Sequence, residues 1–182
     1  MTHAAFLRAI NIGGHAIVKM AGLKRAFEDA GGKNVRTLIT SGNVVFEAPS
    51  TDAAQAKLFK NIQDRVDKLI GKPVDVMYRT HDDIKRLIAA DPFADVNSAL
   101  DVRLYVTFLK SKPAKKPKLP LLSEKEGLEV IQVAGLDVCV IGRPVGKGRS
   151  GAPNLLVEKE FGVAATSRNW NTVCKVFEKM AE

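Results

Sequence analysis

Two groups of polar residues in this chain have the types needed to hold an anion. The first follows an apolar run near the N-terminus: Arg8, Asn11, Gly13, Gly14 and Lys19, joined by Ser41 and Asn43 from a later turn. The second comprises Lys147 and Arg149 in a glycine-rich run, and Arg168, Asn169 and Trp170 in the segment TSRNW. Arginine and lysine supply charge, asparagine and serine neutral hydrogen bonds, and glycine lets backbone amides approach a ligand. A helix opening near Arg168 would add unpaired amides and a positive dipole end. The same residue types also cap helices and close turns, so each group has a purely structural reading beside the binding one.

Sharper chemistry is not encoded. VGKGRSG lacks the GxxxxGK[ST] spacing of a phosphate loop, and Pro153 limits the helix that should follow. There is no GxGxxG after a strand and no GxSxG elbow. His3, His15 and His81 have no ligand spacing, so no metal site is expected, and no cofactor is implied. Asp82-Asp83 reads as acidic bias in the first turn of a helix. No catalytic residue can be named, which leaves enzymatic activity open. Cys139 and Cys174 form no CxxC pair and read as reduced thiols.

The 182 residues are 46% apolar and 26% charged, as in soluble globular proteins. The net charge is +8, but KSKPAKKPK (Lys110 to Lys118) holds five lysines; subtracting them leaves +3. Prolines 113 and 117 make that stretch an extended, mobile loop. It either solubilises the protein or makes weak, non-specific contacts with nucleic-acid phosphates. No apolar run approaches the roughly 20 residues of a membrane span. No secretory pattern opens the chain, so a cytoplasmic protein without membrane association is expected.

The elements that must position these residues occur in an order that appears twice: strand, helix, strand, strand, helix, strand. The first copy runs from His3 to Arg79 and the second from Asp101 to Thr166. Each is followed by a helix that Thr80 or Thr166 could cap. Strands are expected over Ala4–Ile10, Val35–Ile39, Val44–Glu47 and Val74–Arg79, then Val102–Leu109, Leu128–Val133, Leu136–Ile141 and Val163–Ala165. Leu23, Ala26, Phe27 and Ala30 recur at helical spacing, as do Leu58, Ile62, Val66 and Leu69. In the second copy a short helix is expected around Ser123 to Gly127, one through Leu155 to Phe161, and the last over Arg168 to Met180. The fold class is α+β: two tandem ferredoxin-like βαββαβ units, each followed by an extra helix, over residues 1–97 and 98–182 with one shared core. Strand 1 is apolar on both alternating faces, so both faces of its sheet should be covered. Strands 1 and 2 run the same way in this topology. The loop after strand 1 and the turn at Ser41 therefore share an edge. The glycine loop Gly142–Gly151 and the TSRNW segment share another. Val44-Val45-Phe46-Glu47 lacks the aromatic signature of sheet-face RNA binders.

Three runs together carry a likeness: FLRAINIGG from Phe6, with Lys19, Met20 and Leu23 after it; TLITSGNVVFE from Thr37; and ATSRNWNTV from Ala165. They resemble the bacterial family of domain of unknown function 1697 across nearly the whole chain. Ala9 stands where that family usually has glycine, and Ser167 where it usually has a second threonine. The resemblance implies positions and no reaction: its motifs fall on the polar loops that the topology brings to common edges. The expected function is a module binding a phosphorylated small molecule or nucleotide. The alternatives are a weak nucleic-acid binder using Lys110–Lys118 and Trp170, or a non-catalytic interaction protein. The oligomeric state is not legible.

Overall fold

The structure, a computed structural model, describes residues 1–10, 18–38, 42–97, 101–146 and 148–182. The expected site residues Asn11, Gly13, Gly14, Ser41 and Lys147 lie outside the described residues. The fold is α+β, with two antiparallel sheets and five helices among the described residues. The chain divides into two compact units, Met1–Ile84 with Lys175–Glu182, and Lys85–Cys174.

In the first unit β1 (Thr2–Leu7), β2 (Lys33–Leu38), β3 (Asn43–Glu47) and β4 (Val76–Thr80) form a sheet in the order β2-β3-β1-β4. All neighbours are antiparallel, so β1 and β2 run the same way. Helices α1 (Met20–Ala30) and α2 (Asp52–Ile70) cover one face. Leu23, Ala26, Phe27 and Ala30 are the buried residues of α1, as the helical spacing predicts, and Gly31 ends it in the left-handed region. In α2 Leu58, Ile62 and Val66 are buried, but Leu69 is 43% exposed. It lies over Gly22 of α1 while the adjacent Ile70 packs on the core, a shift of the stripe at the helix end. Phe27 and Phe46 meet edge to face at 5.2 Å. Full burial of each stabilises by about 1.5–3 kcal/mol.

The opposite face of this sheet is buried as well: Ala4, Phe6, Val45, Met77 and Arg79 are at most 5% exposed. The apolar character of both sides of β1 is therefore matched by burial on both. Helix α3 (His81–Ala89) starts on a reciprocal cap. The Asp83 amide donates to Thr80 Oγ1 at 3.1 Å, and the Thr80 amide donates to Asp83 Oδ2 at 2.9 Å.

The second unit has β5 (Arg103–Leu109), β6 (Leu121–Ser123), β7 (Leu128–Ala134), β8 (Asp137–Gly142) and β9 (Ala165–Asn169), in the order β6-β7-β8-β5-β9. Helix α4 (Pro153–Phe161) covers one face through Leu156, Val157 and Phe161. The helix expected around Ser123 to Gly127 is instead a tight turn between β6 and β7. Gly127 sits there at φ +61°, and a Cβ on it would lie 2.2 Å from the Arg143 carbonyl oxygen. That backbone approach excludes a helical turn. The three-residue β6 is too short to show periodicity in the sequence.

Strand β9 is longer than expected and displaces the last helix. Residues 165–169 pair with β5, from Ala165 against Leu109 to Asn169 against Tyr105. Helix α5 (Trp170–Met180) therefore starts at Trp170, and Thr166 is a strand residue with no capping role. Ladder bonds to β5 satisfy the backbone that a cap would otherwise serve.

Candidate functional site

The edge of the second sheet where β5 begins and β9 ends carries a cleft of ≈ 380 Å³. Antiparallel pairing of Tyr105 with Asn169 places the start of β5 beside the junction of β9 and α5. Arg103, between Val102 and Leu104, lines the cleft on one side. Asn169, Trp170, Asn171 and Thr172 line it from the junction and the first turn of α5. That turn holds no acidic residue, and the first amides of a helix have no partner within it. Arg103 and Asn169 are exposed. Trp170 is half-buried, its ring set edge-on to Phe93 at 5.3 Å. The arrangement offers one guanidinium, amide and hydroxyl hydrogen bonds, an indole and the positive end of a helix.

Of the second predicted group, Asn169 and Trp170 reach this cleft and Arg168 does not. Alternation along β9 turns Arg168 inward, where it is 7% exposed. Its Nη1 donates to Thr166 Oγ1 and to the Ser167 carbonyl, both at 2.8 Å. Burial pulls its pKa down to about 10. Arg79, next to last in β4 as Arg168 is in β9, is buried too and donates to the Tyr78 carbonyl at 2.7 Å. Both arginines are buried near the end of a strand and donate to residues of that same strand. Arg149 is exposed on the loop after β8 and forms no wall of the cleft. That loop is clipped to the β6–β7 turn: the Arg143 amide donates to the Gly127 carbonyl at 2.7 Å and the Gly151 amide to the Glu126 carbonyl at 2.6 Å.

The first predicted group is represented by Arg8, Lys19 and Asn43. The end of β1 meets the described part of the turn, where the Leu7 amide donates to the Gly42 carbonyl at 2.9 Å. Asn43, however, is 0% exposed, and its Nδ2 donates to the Leu38 carbonyl at 3.1 Å across the turn. It closes the hairpin and presents nothing to solvent. Arg8 is half-buried, with its amide bonded to the Asp75 carbonyl, and Lys19 is exposed just before α1.

The sequence pattern names Arg168 and not Arg103, Asn171 or Thr172, because it opens the last helix at Arg168, two residues before its observed start at Trp170. No local signal in ATSRN, where only Thr166 favours a strand, announces them: the pairing of β9 with β5 is what brings the first residue of β5 alongside. The lysine loop also differs from expectation. The amides of Ala114 and Lys115 both donate to the Phe161 carbonyl, at 3.0 and 3.1 Å, so the loop is fastened to the C-terminal end of α4. A run of lysines there meets the negative end of the helix dipole.

Three buried ionisable groups serve packing. Burial lowers the pKa of His3, whose Nδ1 lies 3.0 Å from the Met1 carbonyl and whose ring meets Phe46 and Phe59. Burial, with Asp67 second, pushes the Tyr78 hydroxyl up. Burial, with Asp137 second, pushes the Cys139 thiol up to about 12. Among the described residues no helix is long and apolar enough to cross a membrane.

The model of the family described as protein of unknown function (DUF1697) matches residues 1–138. The chain belongs to this family. Its fold is similar to that of the conserved bacterial protein SP0830 from Streptococcus pneumoniae, with a TM-score of 0.65 and 16% sequence identity over 98% of each chain. No curated protein matches it. At the two positions where the resemblance implies another residue, the structure shows what the side chain or backbone does. Ala9 adopts φ +51°, the left-handed region where glycine costs nothing. Ser167 Oγ lies 2.7 Å from Thr107 Oγ1 across the β5–β9 pair, a bond that needs only a hydroxyl and is served equally by serine or threonine.

Proposed function

We propose that this DUF1697 protein binds a phosphorylated small molecule or nucleotide in the cleft at the start of α5. The observation that carries the reading is the convergence of Arg103 with the first turn of a helix lacking acidic residues, beside an accessible indole. Phosphate oxygens accept from guanidinium and backbone amides, and a base or other flat group stacks on Trp170. Asn169, Asn171 and Thr172 add neutral hydrogen bonds that set orientation. The cleft lies within the ordinary volume range of small-ligand sites. We further read the two sheets as tandem ferredoxin-like units: the order β2-β3-β1-β4 recurs as β7-β8-β5-β9, with β6 standing where the second copy's first helix would be. A cytoplasmic location suits two cysteines that form no disulfide.

The test uses Trp170, the sole tryptophan, as its reporter. Titration with ATP at moderate salt should give a saturable fluorescence change. Arg103→Ala should weaken it about 10- to 100-fold, the loss of one charge-assisted contact. Short single-stranded RNA serves as the competing probe. Binding of RNA alone, abolished by salt, would replace the cleft with the lysine loop as the binding element. No response to ATP by fluorescence and no heat by calorimetry would sink the proposal.

A further inference from the structure

A second cleft, ≈ 590 Å³, lies at the other end of the second unit, between the lysine loop, the β7–β8 turn and the end of α4. Its character is opposite to that of the cleft beside Arg103. Pro113, Pro117, Leu119, Val133, Leu136 and Phe161 make most of its walls. Phe161 is 1% exposed and packs into the core, so that wall is firm. The lysine loop is held over the cleft by the two amide bonds to the Phe161 carbonyl, which gives the opposing wall a defined position. Gly135 in the β7–β8 turn leaves one side open, with no atom within 4 Å of where a Cβ would lie.

Lys112 and Lys116 complete the lining. Both are exposed, and among the described residues neither takes part in an ion pair. Lysine stems extend apolar walls while the ammonium groups stay in water at the rim. An apolar cleft rimmed by two cations complements a molecule with one apolar body and one anionic head. A polyanion or a fully apolar ligand would leave half of this chemistry unused. We infer that this cleft binds a single-chain amphipathic carboxylate of medium length, its chain against Leu119, Val133 and Leu136 and its carboxylate between Lys112 and Lys116. The inference is independent of the cleft beside Arg103.

Calorimetry with sodium decanoate below its micelle-forming concentration tests it on the full chain. One saturable site is expected, and octanoate should bind about tenfold more weakly, from the loss of two buried methylenes. The double variant Lys112→Ala/Lys116→Ala should weaken decanoate about three- to tenfold and leave decanol unchanged. Val133→Trp should fill the cleft and abolish binding; Pro117→Trp, outside any helix or strand, does the same job if the first variant fails to fold. Arg103→Ala should leave decanoate binding unaltered. Absence of decanoate binding would overturn the inference. So would equal affinity for inorganic phosphate, or decanoate affinity undiminished in a folded filling variant.

Discussion

Replacing Gly42 by alanine tests how Ile10, just beyond β1, is seated on Gly42. Gly42 holds φ +74°, and a Cβ built on it falls 2.5 Å from Ile10 Cδ1, 2.8 Å from Ile10 Cγ1 and 3.0 Å from Leu7 Cβ. The left-handed conformation alone costs a non-glycine residue about 1–2 kcal/mol. Forcing a methyl group into filled space adds about 1–3 kcal/mol. Gly42→Ala should therefore destabilise by about 2–5 kcal/mol. Ile10→Ala removes both nearer atoms and by itself should cost about 2–5 kcal/mol, because Ile10 is a buried side chain. In the double variant the new methyl occupies space vacated by Ile10, so most of the steric part of the first cost is relieved, while the contact with Leu7 Cβ at 3.0 Å and the backbone strain remain. The combined loss should fall short of the sum by about 1–3 kcal/mol. Urea unfolding of the four proteins, read as shifts in midpoint at constant slope, measures the coupling. Additive losses, within about 0.5 kcal/mol, would mean that Ile10 does not lie over Gly42.

Four other outcomes follow from the same geometry. Ala9→Gly should raise stability by about 0.5–1 kcal/mol, since it relieves a left-handed alanine; an unchanged melting temperature would contradict that backbone assignment. His3 has a lowered folded pKa, so its neutral form is favoured in the folded chain and the unfolded chain takes up the proton first. Its contribution is full above its unfolded pKa of about 6.5 and is lost as pH falls below that value towards the lowered folded one. His3→Phe should flatten the part of the stability–pH curve between pH 7 and 5, and an unaltered slope would refute the burial argument. Arg168→Ala should cost about 1.5–3 kcal/mol by removing the charge-assisted bonds of a buried guanidinium to Thr166 Oγ1 and the Ser167 carbonyl, with the ATP response of Trp170 retained. Lost binding at full stability would return Arg168 to the ligand site. Iodoacetamide at neutral pH should label half-buried Cys174 before Cys139, whose buried thiol stays protonated until the protein unfolds; peptide mass spectrometry reports the order.

The sequence by itself determined what local rules control. The stripes Leu23-Ala26-Phe27-Ala30 and Leu58-Ile62-Val66 specified two helices, because burial follows from a 3.6-residue period alone. The Thr80 cap of α3 and the adjacent strands β7 and β8 were legible for the same reason: each is decided within a few residues. The apolar character of both sides of β1 also announced a sheet buried on two faces. Only the tertiary structure decided which polar residues face a ligand. Whether TSRN would cap a helix or extend a strand depended on β5, about 60 residues away in the chain, and that pairing turned Arg168 inward and brought Arg103 to the cleft. Asn43 was likewise taken into the hairpin by a carbonyl five residues off, which its amino-acid type could not announce. The lysine loop became the wall of an apolar cleft through two backbone bonds to the end of α4, a contact between segments that no local pattern specifies. Side-chain direction in a strand is set by register, and register is a property of the partner strand as much as of the residue itself.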